Sequence, residues 1–177
     1  MNTFPFRTGQ HIVCICLLFG FVAGTVNGAD RVKTGLQAIY DFNSAEGQVV
    51  KDRSGVQPAS DLRIADLKAV RRTKGMLEVR AKTVIRSDKP AVKIFNAVRR
   101  SGAITIEAWI KPANTQQDGP ARVVTLSRDS TNRNFTLGQD KDRFEVRLRT
   151  SGTSLNGIPA LAAPAKTAKV SLTHVVY

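Results

Sequence analysis

Ile104-Thr105-Ile106-Glu107-Ala108-Trp109-Ile110-Lys111-Pro112 is the stretch that decides the fold. Ile104, Ile106, Ala108 and Ile110 alternate with Thr105, Glu107, Trp109 and Lys111. Side chains along a strand point to opposite faces with a period of two, so this pattern predicts a half-buried strand over 103–111. Pro112 ends it, because proline has no N–H to give to a ladder.

The same pattern extends outward from this strand. On the C-terminal side, 114–120 is a polar loop and 121–127 a strand. Residues 134–138 and 143–150 form a hairpin around 139–142, with Phe144, Val146 and Leu148 alternating with Arg143, Glu145, Arg147 and Arg149. A Gly-, Pro- and Ala-rich loop over 151–166 leads to a last strand over 170–177. On the N-terminal side, 91–100 is the one helical segment: Val92, Phe95 and Val98 recur at helical spacing, and Ser101-Gly102 stops it. Two short strands occupy 76–86, with Leu77, Val79 and Ala81 facing one way and Glu78, Arg80 and Lys82 the other. A strand candidate lies at 61–65, a turn at Asp52-Arg53-Ser54-Gly55, and a first strand at 36–42. Many short strands punctuated by turn residues predict an all-β sandwich or barrel.

Residues 1–28 read as a secretory signal peptide. Arg7 is the only charge there, residues 12–24 are an unbroken apolar and glycine run, and Thr25 to Ala29 are small and polar. The run is shorter than the about 20 residues a membrane span needs. Cleavage after Gly28 or Ala29 leaves a domain over 29–177, no membrane span, and a secreted, periplasmic or cell-surface location. Cys14 and Cys16 lie inside the apolar run, so the exported chain has no disulfide framework and no cysteine-based metal site. The formal charge of +13 becomes +12 on loss of Arg7. Such an excess favours acidic partners, and between Arg63 and Arg100 twelve Lys or Arg face three acids. Export, and the lack of exposed stacking aromatics, argue against nucleic acid.

The ordered features resemble the laminin-G-like, concanavalin A-like lectin/glucanase superfamily in its bacterial exported form. Tyr40-Asp41-Phe42 ahead of Asp52-Arg53-Ser54-Gly55 is similar to that family's opening strand and Asp-x-Ser-Gly turn. The Trp109 strand is similar to its most recognisable strand. Asn134-Phe135-Thr136-Leu137-Gly138 with Arg143-Phe144-Glu145-Val146-Arg147-Leu148 is similar to its central hairpin, and Leu172-Thr173-His174-Val175-Val176-Tyr177 to its His-containing strand. Leu172 and Thr173 stand where the family has a large aromatic before the histidine. The resemblance implies a two-sheet antiparallel jelly-roll sandwich that binds glycans or proteins on one curved face. The family continues past its His-containing strand with a hairpin and a closing strand, so the resemblance also implies a fragment, truncated at its C-terminus.

For chemistry, a glycosidase needs a pair of carboxylates flanking the bond it cuts. Glu107 and Glu145 each stand alone between other residue types, so a non-catalytic module is expected. Its partner is carbohydrate, with an anionic glycan as the sharpest form, or an extracellular protein in a structural, interaction role. Arg80, Lys82, Arg147 and Arg149, on polar strand faces, can hold carboxylates or sulfates. Trp109 either carries a sugar ring beside Glu107 or fills a gap under a loop; the high average burial of large aromatics favours the second. No cofactor is expected, with calcium as the alternative: Asp140 and Asp142 offer hard oxygen ligands at the hairpin tip, opposed by Lys141 and Arg143. His174, the one histidine beyond the signal segment, is expected as a plain strand residue.

Overall fold

The computed structural model describes residues 33–44 and 46–177, and the expected signal segment 1–28 lies outside them. In chain order the elements are β1 (Val49–Val50), β2 (Leu62–Ile64), β3 (Val70–Thr73), β4 (Met76–Val79), β5 (Ile85–Ser87), α1 (Val92–Ser101), β6 (Glu107–Ile110), β7 (Ala121–Ser127), β8 (Arg133–Asp140), β9 (Arg143–Leu148), β10 (Leu161–Ala162) and β11 (Thr173–Val176). The strands form four antiparallel sheets ordered β1-β2-β5, β3-β4, β10-β9-β8-β7 and β11-β6. A β-rich chain with one short helix is what the alternating pattern predicts. Among the described residues no helix is long and apolar enough to cross a membrane.

The main core lies between two of these sheets. Phe135 and Leu137 on β8 and Phe144 and Val146 on β9 meet Ile106, Ala108, Ile110, Val175 and Tyr177 from the β6–β11 pair, with Ile94 of α1 and Ala168 closing the cluster. The 104–110 alternation is therefore read correctly: its isoleucines and Ala108 point inward, and Thr105, Glu107, Trp109 and Lys111 are exposed. Ile106 and Tyr177 exchange both backbone hydrogen bonds, 3.0 and 2.9 Å, which prolongs the β6–β11 ladder.

Three expectations are corrected. Residues 36–42 form no ladder. The Arg53 N–H does reach the Ile39 carbonyl at 2.9 Å, but the Ile39 N–H goes to the Asp52 carboxylate at 3.2 Å. A side chain has taken the place of a partner strand's carbonyl, and Phe42 then turns left-handed at φ 52°. Arg80 and Lys82 lie past the end of β4 rather than on a strand face, and Val79 and Ala81 are exposed.

Helix α1 forms where expected and ends as expected. Gly102 adopts φ 65° and its N–H caps the Val98 carbonyl at 2.8 Å, a left-handed cap that glycine makes without a Cβ penalty. The buried face differs. Val92 and Phe95 are exposed, while Lys93 is buried. Lys93 meets Asp52 in an ion pair whose side chains are 4% and 1% exposed, and it also donates to the Val56 carbonyl at 2.7 Å. Asp52 accepts from the N–H groups of Ser54 and Ser60, both at 3.0 Å. Burial on its own would raise the Asp52 pKa. Lys93 and those N–H groups outweigh it and hold the carboxyl well below the usual carboxylate range.

Candidate functional site

The outward face of the β6–β11 pair carries the best-formed group of polar and aromatic side chains. Its register sets His174 opposite Trp109 and Val176 opposite Glu107. The Trp109 and His174 rings stack with centroids 4.5 Å apart and planes inclined by 13°. His174 Nε2 lies 2.9 Å from Glu107 Oε1, its diagonal neighbour two residues along β6 from Trp109. Trp109 is 60% exposed, which overturns the gap-filling role under a loop. The reason lies in its neighbours: Ala108 and Ile110 take the core side of β6, so the pleat sends Trp109 outward. The imidazole covers one side of the indole and leaves the rest to solvent. Lys111, Leu172 and Val176 are exposed around it. An open aromatic face flanked by a carboxylate and an imidazole can pack against an apolar ring face while orienting its polar substituents.

The other residues singled out in the sequence are not gathered here. Arg147 pairs with Glu145 at 2.8 Å on β9, both largely buried. Arg80 pairs with Glu78 at 3.1 Å, and Lys82 is exposed. Asp140 sits against Gly119 of the 114–120 loop. Asp142 Oδ2 accepts the Lys166 N–H at 3.1 Å. Among the described residues no three His, Cys, Asp or Glu side chains converge as a metal site would require.

Two sets of residues escaped the sequence reading. The sequence marks His174 only as a strand residue, and the register with β6 brings it onto Trp109. The second set surrounds Arg149. A shallow depression of about 120 Å³ is lined by Arg128, Asn132, Arg133, Asn134 and Arg149. Arg133 begins β8 where the β7–β8 register shifts. That shift turns its side chain to Thr136, on the face away from Phe135 and Leu137. The 150–162 segment folds back along β9: β10 pairs with it, the Leu155 carbonyl takes the Arg133 N–H at 3.0 Å, and Gly157 comes so close that a Cβ there would lie 2.9 Å from the Arg147 backbone. Gly157 also needs φ 69°, so two separate constraints select glycine.

No family model matches the chain, and neither a curated protein nor a solved structure matches it.

Proposed function

We propose that the chain is an exported, non-catalytic carbohydrate-binding module of the laminin-G-like kind, whose sheets belong to a two-sheet jelly-roll sandwich, and that Trp109 is its sugar platform. The observation that carries this reading is the exposed Trp109, stacked on His174 and flanked by Glu107. The packing of β6–β11 against the four-stranded sheet is consistent with such a sandwich. Glu107 and Glu145 lie on the outward faces of opposing sheets, and Glu145 is taken by Arg147. That placement favours binding over glycoside cleavage, which needs both carboxylates on one bond. The excess of basic residues, a formal +13 for the full sequence, favours an acidic glycan. The reading assigns no cofactor.

Retardation of the full chain in gels carrying neutral or acidic polysaccharides tests this. A retained glycan is expected, with salt-sensitive retention if it is acidic, and Trp109→Ala should weaken binding by at least about 2 kcal/mol, as loss of a central aromatic anchor does. Absence of retardation by every glycan offered sinks the reading. A second reading, a domain that docks a protein partner, draws on Leu172 and Val176, which are exposed on or next to β11, the strand that pairs with Trp109's. Among the described residues β6 and β11 also have one ladder partner each, so an open edge is present. Indifference to all glycans together with self-association lost in Leu172→Lys assigns the face to that role.

A further inference from the structure

Among the described residues, Arg133 is a buried cation without a counter-ion. It is 4% exposed. Its Nη1 donates to Thr136 Oγ1 at 3.3 Å and its Nη2 to the Ser130 carbonyl. Its Nε is buried without a partner, and among the described residues it forms no ion pair with any Asp or Glu. The carboxylates whose charge reaches it are engaged elsewhere: Asp129 by Arg128, Thr131 and Asn132, and Glu145 by Arg147. Burial, followed by Arg122 and Arg147, pushes its pKa down. A guanidinium nevertheless keeps its proton in a protein, so the charge stays and the environment disfavours it. Buried charge that is tolerated is ordinarily paired.

The side chains around Arg133 point to the missing partner. The depression it lines adds Arg128, Arg149, Asn132 and Asn134 and presents no carboxylate. Arg128 and Arg149 are exposed at its mouth. We propose that this depression is an oxyanion site that takes one sulfate, phosphate or carboxylate group. The fork of a guanidinium matches two oxygens of such a group, and each N–H···O⁻ bond formed there is charge-assisted. A depression of about 120 Å³ suits a single small group rather than a polymer segment. The site stands apart from the sugar platform. Thr136, which holds Arg133, points away from the core on the four-stranded sheet, and Trp109 points away from it on the two-stranded one.

Titration calorimetry of the full chain with sodium sulfate, sodium phosphate and sodium acetate, each against sodium chloride at equal ionic strength, tests the proposal and separates the three sources. Saturable one-to-one binding of at least one oxyanion is expected, with no chloride response. Sulfate stabilises proteins by exclusion from their surface as well, so saturation is the informative property. Arg128→Gln and Arg149→Gln replace exposed side chains and should each weaken the oxyanion on the order of tenfold. Arg133→Met should abolish the response while leaving the thermal midpoint in chloride unchanged or higher. Trp109→Ala should leave it intact, so a failed sugar platform and a failed oxyanion site give different results. Binding that never saturates, or that is equal in the Arg128→Gln/Arg149→Gln variant, overturns the proposal. So does an Arg133→Met variant destabilised equally with and without sulfate, because Arg133 would then only be holding Ser130 and Thr136.

Discussion

Two acid–base pairs tie distant parts of this chain together, and they do opposite work. Lys93 and Asp52 meet with side chains 4% and 1% exposed. Glu107 and His174 meet at 2.9 Å with side chains 46% and 41% exposed. The first pair fastens α1 to the loop that carries the Asp52 turn; Lys93 also donates to the Val56 carbonyl, and the Ile39, Ser54 and Ser60 N–H groups donate to Asp52, which leaves the pair no spare capacity. The second lies on an open face and is solvated. A buried pair is costly to break because the surviving charge has no solvent, whereas an exposed pair has water as a ready substitute. The fold therefore depends on the first pair, and the second is free to meet a ligand.

The largest effect should come from breaking the buried pair on one side only. Lys93→Met leaves the Asp52 carboxylate among Ser54, Ser60 and the Ile39 N–H with no cation, and should cost about 3–5 kcal/mol in urea unfolding. Replacing both partners, Asp52→Asn with Lys93→Met, should recover part of that loss. A single variant within about 1 kcal/mol of the parent would remove the distinction between the two pairs, because that is the range of surface pairs.

Acid sharpens the same contrast. Asp52 is held well below the usual carboxylate range in the folded chain, whereas an unfolded aspartate titrates near about 3.9. Between those values the unfolded chain binds the proton more readily. The stability Asp52 contributes is thus full above about pH 4 and is lost as pH falls toward the folded value. Lys93→Met removes the strongest of the contacts that lower the Asp52 pKa and leaves its burial in place, so in that variant protonation relieves a buried charge. Urea midpoints of parent and variant, measured down a pH series, should converge below about pH 4. Curves that stay parallel would mean that Asp52 is not the group responsible.

Periodicity made much of the fold legible. It marked β9 and the core face of β6, where Phe144, Val146, Ile106 and Ala108 turn to the core. Helical spacing of Val92, Phe95 and Val98 marked α1, and Ser101-Gly102 marked its stop, where Gly102 takes the left-handed cap. It failed at α1's inner face, where Lys93 is buried by an aspartate 41 residues away. A hydrophobic count scores such a lysine as surface. It also missed β3, since Val70-Arg71-Arg72-Thr73 has no apolar alternation; the only local signal was the Lys74-Gly75 turn that joins it to β4. The site follows the same division. Trp109 and Glu107 were visible as the outward half of an alternating strand. His174 joins Glu107 across 67 residues, and Arg133 turns on a register shift between β7 and β8. Both are consequences of strand pairing, which local pattern does not encode.

The smallest effect should come from the exposed pair. In a double-mutant cycle of Glu107→Gln and His174→Gln, the coupling in urea unfolding should fall within about 0–1 kcal/mol. The stacked Trp109 adds little to that, since its 60% exposure leaves most of the ring already hydrated. If the face serves a ligand, the same two substitutions should cost more in binding than in stability, because the His174 ring stacks on the indole and Glu107 holds that ring. A coupling near that of the buried pair would mean that Glu107 and His174 hold β11 onto β6. Trp109 would then be exposed as a by-product of strand pairing, and the open face would lose its claim to be a binding surface.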